Sequence, residues 1–525
     1  MLLKPILASL VIALSSLTPS LAAPWVEPDN LALRNDIQLL ADAGIITAPV
    51  TTYPLMWNAI KGDIMSANTS LLNDAQLQAL SHVRYNFKYA SDHNNITKQT
   101  VYLATDAKRF TSFGNADFDK GDIELSDEFF VGNLAGKFQV NYRLGLDDNP
   151  DLNQGSDVNI DGSYLAYKLG NWVLTAGAID RWWGPGVDTN LIMTTNARPL
   201  PAMSFTRDNS DAFETPWLSW IGPWTLTAQM AKLEEDRAVP DTLLWSTRAT
   251  MRPFRGLEIG GSWSFQWAGE GQPSSIGDFF DILFGSKECA NDQPDCDESQ
   301  NTFQGNHLAG YDIRWSDTLL DLPYALYFQT IGEDGSPNAG LITDKADTYG
   351  IETRFTLFNQ RVFANLEYTD TQVACGGTGT TTLNCFYEHG TYNSGYRYYT
   401  RTIGSTYDND AQSLVATFLM QTEAGNSWQL KFRKVDLNTD NIDRYPDNIN
   451  QGNSVSKVAE DVLQFDGYYK FIALDSRFTL GVLVTNSDYG NDINTITAVT
   501  DEAPLYESGT EIDAYIKWEY RFNAF

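Results

Sequence analysis

The sequence predicts an all-β chain: a transmembrane antiparallel β-barrel of about 18 strands with a small N-terminal α-helical bundle. Three observations predict it. From about residue 99 onward, apolar and polar residues alternate with a period of two. Tight turns and long polar loops alternate between those stretches. No segment reads as a spanning helix: the longest uncharged stretch, Thr215 to Ala231, is broken by Pro216, Gly222, Pro223 and Gln229.

Taken in order, the chain opens with an export signal. Lys4 gives a positive start, Ile6 to Leu17 form an apolar core too short to span a bilayer, and Ser20-Leu21-Ala22 places small residues at the cleavage site. Residues 1–22 are therefore expected to be a signal peptide and the mature chain to be exported. A chain exported in this way and lacking a spanning helix crosses a membrane only as strands.

Residues 23–95 are expected to form a periplasmic helical bundle. Asp29 or Asn30 can cap a helix whose apolar positions Leu33, Ile37, Leu40 and Ala41 share a face, and Gly44 sits where a left-handed stop belongs. Pro54 opens a second short helix through Trp57, Ile60 and Ile64, and Asn73 or Asp74 a third through Leu77 and Leu80. So small a bundle packs against the larger β-rich part of the chain. The alternating Tyr85, Phe87 and Tyr89 would make a nineteenth strand, which is excluded because a periplasmic bundle cannot feed a downward strand.

Residues 96–525 are expected to form the barrel. Trp428, Leu430 and Phe432 alternate with Gln429, Lys431 and Arg433; Ile351, Thr353, Phe355 and Leu357 with Glu352, Arg354 and Thr356; Tyr311, Ile313 and Trp315 with Asp312 and Arg314. Alternation alone also suits a soluble sandwich. Short turns at Gly170-Asn171, Pro253 to Gly256, Phe358 to Gln360, Ala424 to Asn426 and Leu474-Asp475 decide for the barrel, set against long loops near 268–304, 370–410, 434–460 and 485–510. In the last strand Ala514, Ile516, Trp518, Tyr520 and Phe522 share one face, and the chain ends at Phe525, out of phase. Either Phe522 is the terminal aromatic that the outer-membrane barrel assembly machinery reads during insertion, or the strand is bulged near its end.

Composition narrows the function. A chain 13% aromatic and only 42% hydrophobic suits a barrel with a polar lumen or a large soluble β-protein. A net charge of −31 argues against nucleic acid and against adhesion to anionic lipid. An acidic ligand would need local Arg clusters, sugar stacking or divalent bridging, for which Asp408-Asn409-Asp410 and Asp488 to Asp492 are acidic runs; such runs are more often simply solvated, and no metal or other cofactor is assigned. Cys289 and Cys296 lie in one long loop and Cys375 and Cys385 in another, so two local disulfides are the simplest of three pairings in an oxidising compartment.

The most unusual stretch is Arg181-Trp182-Trp183-Gly184-Pro185-Gly186, followed by Thr194-Thr195-Asn196-Ala197-Arg198-Pro199-Leu200-Pro201, Glu214-Thr215-Pro216-Trp217 and Ile221-Gly222-Pro223-Trp224. With the preceding Asp161-Gly162-Ser163-Tyr164-Leu165-Ala166, and with Leu39-Leu40 to Gly44-Ile45-Ile46 and Tyr53-Pro54 to Trp57, it resembles the Wzi capsule-assembly family over nearly the whole chain. The resemblance implies an 18-stranded barrel in the outer membrane of a Gram-negative bacterium, acting as a lectin that attaches capsular or other exopolysaccharide to the surface, without enzyme chemistry. It implies no individual sugar contacts.

Those come from physical argument. A sugar offers apolar C–H faces and hydroxyl edges, so its site wants flat aromatics, fixed donors, and Arg forks where the polymer carries carboxylates. Arg181, Trp182, Trp183, Arg198 and Arg207 supply both kinds, as does the loop with Tyr396, Arg397, Tyr398 and Arg401. The alternative is that the Trp pair packs on a lumen wall, Arg198 pairs with a lumen carboxylate, and the tyrosines belong to a membrane girdle. A porin or sugar-selective channel is the competing function. An enzyme would need a nucleophile beside a base. His82 and His93 precede the barrel, and neither His307 nor His389 has a neighbouring Gly-x-Ser-x-Gly, so no catalytic residue is assigned. The expected partners are surface polysaccharide, outer-membrane lipid and the insertion machinery, with no nucleic acid, and the expected state is a monomer.

Overall fold

A computed structural model describes residues 24–92, 95–117, 119–145, 156–283, 305–335, 342–374, 383–422, 425–445, 448, 451–489 and 508–522. The expected signal peptide, Phe525, and Cys289, Cys296 and Cys375 lie outside the described residues. Cys385 is disulfide-bonded.

Apart from six two-residue strands that pair among themselves, the described strands close into one antiparallel ring. Ser156–Asn159 and Tyr164–Leu169 pair with opposite ends of the same neighbour, Leu134–Leu144, so they are one interrupted strand and the ring counts 18. The last strand, Gly509–Phe522, closes it against the first, Asn95–Ala104, with unbroken pairing from Tyr515 opposite Ala104 to Phe522 opposite Thr97. No bulge interrupts it, so Phe522 keeps its outward phase.

The exposure pattern is inverted relative to a water-soluble sheet. On the strand Ser427–Leu437, Trp428, Leu430 and Phe432 are 43%, 40% and 48% exposed, while Gln429, Lys431 and Arg433 are 1%, 1% and 3% exposed. Tyr311, Ile313 and Trp315 face outward and Asp312 and Arg314 inward in the same way. In water such a ring would expose its greasiest surface; in a bilayer it is matched, because a closed sheet leaves no open edge and turns apolar side chains to lipid. The strands also run longer than the alternation alone suggests, to Leu437 and Asp488, which shortens the loops expected at 434–460 and 485–510.

Three helices precede the ring. Helix α1, Leu31–Asp42, is capped by Asn30, whose side chain accepts from Leu33 N–H at 3.2 Å, and ends through Gly44 at φ +77°. Helix α2 is Trp57–Ser66 and helix α3 is Asp74–Asp92. The third runs straight through Tyr85, Phe87 and Tyr89, because Leu80, Val83, Phe87 and Ala90 recur at helical spacing and bury one face. A further helix, α4, Ile276–Leu283, lies in a long loop.

The bundle sits at the short-turn end and reaches into the lumen. Asn58 donates to Asp208 at 2.9 Å, and the bundle core continues into Trp182, Val187 and the wall residues Phe363 and Leu419. Wall charges bolt it in place. Arg314 and Arg354 donate to Asp42 at 2.6 and 3.0 Å and both also meet Glu352; Arg361 meets Asp36; Glu258 accepts from Val50 and Thr51 N–H at 3.0 and 2.8 Å. Burial alone would raise the Asp42 carboxyl, but Arg314 and Arg354 hold it down at about 2.

Candidate functional site

From the opposite end, two long loops fold into the lumen, and the first of them meets the bundle. In the first, residues 179–200, Trp182 and Trp183 pair in extended backbone with Tyr53 and Thr52. Both indoles are fully buried: Trp182 donates to Gly186 O at 2.9 Å and joins the bundle core, and Trp183 packs among Leu191, Ile192 and Met193. The adjoining turn admits only glycine at two places, since a Cβ at Gly184 would lie 2.2 Å from Asn190 Oδ1 and one at Gly186 would lie 1.9 Å from Thr189 O. Wall residues then hold the loop. Glu367 accepts from Val187 and Thr189 N–H at 2.7 and 2.9 Å, and Asp188 receives Lys431 and Arg433 at 2.6 and 2.9 Å. Burial pushes the Asp188 carboxyl up, and Arg433 and Lys431 outweigh it to hold it below the usual range.

The second loop, of which residues 371–374 and 383–410 are described, locks onto the first. Tyr396 OH donates to Ile192 O at 3.0 Å, and buried Arg397 is held between Asp408 and Glu388, both at 2.6 Å. Asp408 also accepts from Ser454 N–H at 2.8 Å, and Asp410 accepts from Thr439 Oγ1 at 2.5 Å, so this acidic run is an internal brace and not a solvated one. Arg181 is buried too and donates to Ile179 O and Ser204 Oγ, both at 3.1 Å; burial lowers its pKa to about 10. Arg207 lies at the short-turn end, its guanidinium 3.8 Å over Trp224 and donating to Trp224 O at 2.6 Å. It is therefore at the other end of the barrel from the long loops.

What remains open on the long-loop side is a rim in which Arg198, Tyr399 and Arg401 are half-buried beside the buried Tyr398. Arg198 donates to Asp161 at 2.8 Å and stands 4.6 Å over the Tyr399 ring; Tyr399 meets Tyr398 edge-on at 4.7 Å; Arg401 donates to Asn196 O at 2.8 Å. Burial works against the Arg198 charge, but the Asp161 hydrogen bond and charge more than offset it. Beside this rim runs a polar crevice of about 160 Å³. There Arg143 stands 3.5, 3.6 and 3.5 Å from Asp119, Asp122 and Asp161. The structure thus brings Arg198, Tyr398 and Arg401 together, with Tyr399 as the ring between them, and packs Trp182, Trp183, Tyr396 and Arg397 inside.

The histidines have structural partners. His82 Nδ1 is 2.6 Å from Asp36, His389 Nδ1 accepts from Thr391 N–H at 3.1 Å, and His307 Nδ1 accepts from Trp263 at 3.2 Å. His93 lies outside the described residues.

Comparison with known proteins completes the picture. The sequence profile of the family described as capsule assembly protein Wzi matches residues 92–492. An uncharacterized 55.8 kDa protein in the cps region of Klebsiella pneumoniae is 31% identical over 321 residues, 60% of this chain and 59% of that protein, so the match spans less than two thirds of the relative's length. Among solved structures, Wzi, an outer membrane protein involved in group 1 capsule assembly in Escherichia coli and a carbohydrate-binding β-barrel, superposes with a TM-score of 0.76 at 24% identity, covering 95% of this chain and all of that one. That likeness shows a shared fold.

Proposed function

Because this chain belongs to the capsule assembly protein Wzi family, we propose that it is an outer-membrane lectin that holds capsular or other exopolysaccharide at the cell surface and carries out no catalysis. The observation that carries this reading is the stoppered lumen: residues 179–200 meet the bundle through the Trp182–Tyr53 and Trp183–Thr52 pairs, and residues 383–410 pack onto that loop from the far side. A barrel filled by its own chain offers a polymer a rim to bind, not a path to cross. At that rim the Tyr399 face suits a sugar ring, and Arg198 and Arg401 suit carboxylate edges. Lipid around the ring, a monomeric state and insertion by the barrel assembly machinery belong to the same reading.

The test is deletion of the gene with polymer measured in two fractions. Shed polysaccharide rises while total synthesis persists, and a complementing Arg198→Ala/Tyr399→Ala/Arg401→Ala chain restores retention only in part. Unchanged retention in the deletion strain rejects the function.

A further inference from the structure

The Glu214-Thr215-Pro216-Trp217 and Ile221-Gly222-Pro223 elements lie in residues 208–223, which join the strands Pro201–Arg207 and Trp224–Lys232 at the short-turn end. Other hairpins there turn in two residues, with Leu319 opposite Leu322 and Leu357 opposite Gln360. The longer segment is firmly held: Trp224 N–H donates to Ser210 O at 2.9 Å, Arg252 N–H to Pro223 O at 2.8 Å, and Leu218 N–H to Thr215 O at 2.9 Å. Its place is outside the wall. Trp224 stands opposite Met251, and the next residue, Arg252, reaches inward to Ile46 O at 3.0 Å, so Met251 and Trp224 point outward. Phe213 stacks on that outward Trp224 at 4.7 Å.

A segment tied down so closely still leaves two indoles uncovered: Trp217 is 72% and Trp220 62% exposed. The next three hairpins around the ring continue the pattern. Phe254 is half-exposed beside the outward Trp315, and the turn tips Leu320 and Phe358 are 93% and 85% exposed. Leu320 and Phe358 also hold φ at +51° and +50°, which strains a bulky side chain, where the turns at Gly132-Asn133 and Gly170-Asn171 place glycine. An apolar side chain kept in strain and touching little of its own chain gains from a covering that the chain does not supply.

We propose that this edge is seated in the phospholipid leaflet at the short-turn end, with Trp217 and Trp220 as a foot at the headgroup boundary and Phe254, Leu320 and Phe358 as further contacts along the same arc. The outer face of these strands already meets lipid, so the edge extends an existing interface. Five side chains from four successive hairpins follow the curve of the rim; a bilayer surface meets such a curve all at once, whereas a docked protein covers one compact patch. Indoles suit that depth, with an apolar ring for the acyl boundary and an N–H for the wet headgroups. Glu214 and Asp321 stand beside these residues in the chain, which fits zwitterionic headgroups better than anionic ones. The two glycine-asparagine turns lie outside the arc, so the leaflet grips the ring unevenly.

The test uses the full chain with Trp217→Cys, Leu320→Cys or, as reference, Asn133→Cys, each carrying a nitroxide, in vesicles of phosphatidylethanolamine and phosphatidylcholine. Relaxation of the nitroxide by oxygen, which concentrates in lipid, is compared with relaxation by a water-soluble nickel chelate. All three positions are exposed, so the substitutions leave the packed interior as it is. Labels in place of Trp217 and Leu320 are expected to respond several-fold more to oxygen than to the chelate, and the label in place of Asn133 more to the chelate. A chelate preference at either of the first two overturns the proposal, as does an equal oxygen preference at the third. If the first two meet the chelate in vesicles but are shielded in outer-membrane fragments, a protein covers the edge and the lipid assignment falls. Shielding in vesicles that vanishes when the chain is diluted in lipid marks a second copy as the cover and overturns it too.

Discussion

Asp42, the last residue of α1, shows how single charges hold the stopper. Its carboxyl titrates at about 2 in the folded chain against 3.8 unperturbed, so its contribution is complete above about pH 4 and fades as pH drops toward 2. That difference is worth about 2 kcal/mol. The guanidinium unfolding midpoint in detergent is expected to fall across this window, and Asp42→Asn to flatten the slope; an unchanged slope in the variant contradicts the assignment. Arg397 makes the sharper case, since Arg397→Met leaves Glu388 and Asp408 buried without a counter-charge. A loss of about 3–5 kcal/mol is expected, read as early proteolysis of residues 383–410. Neither role was legible in the sequence. Arg and Trp residues suited to a sugar are equally suited to a packed lumen, and the partner that decides between them, Tyr53 for Trp182, is remote in the chain and carries no local mark.

At the scale of the element, legibility followed the locality of the signal. The cap at Asn30, the stop at Gly44 and the alternation of 428–433 act within a few residues and could be read directly. Helix α3 was harder, because Tyr85, Phe87 and Tyr89 mimic a strand while Leu80, Val83, Phe87 and Ala90 carry the helical face. The apolar edge at the short-turn end could not be read, because Trp217, Leu320 and Phe358 come from separate hairpins that only the closed ring sets in line. Residues 179–200 give the element-scale prediction. Glu367 holds their backbone by accepting from Val187 and Thr189, so Glu367→Ala is expected to raise brief conductance steps in planar bilayers above a nearly silent wild type. Steady large conductance of the wild type would instead favour a channel.

For the whole molecule the decisive property is which face of the sheet is wet. Alternation placed residues on two faces but could not say which met solvent, and the exposed Trp428, Leu430 and Phe432 answer that. Phe432 sits at the middle of its strand, so Phe432→Lys is expected to cost about 2–4 kcal/mol in a bilayer, measured as a lower unfolding midpoint in lipid vesicles. A cost near zero would place this band in water. The seam between Gly509–Phe522 and Asn95–Ala104 has a temporal meaning. Synthesis delivers α1 to α3 first and the closing strand last, so the hoop cannot be fastened until its contents have already emerged. Because the contents interlace with a loop descending from the far side, they cannot be threaded in afterwards: like a ship finished inside its bottle, the interior is set before the neck is sealed.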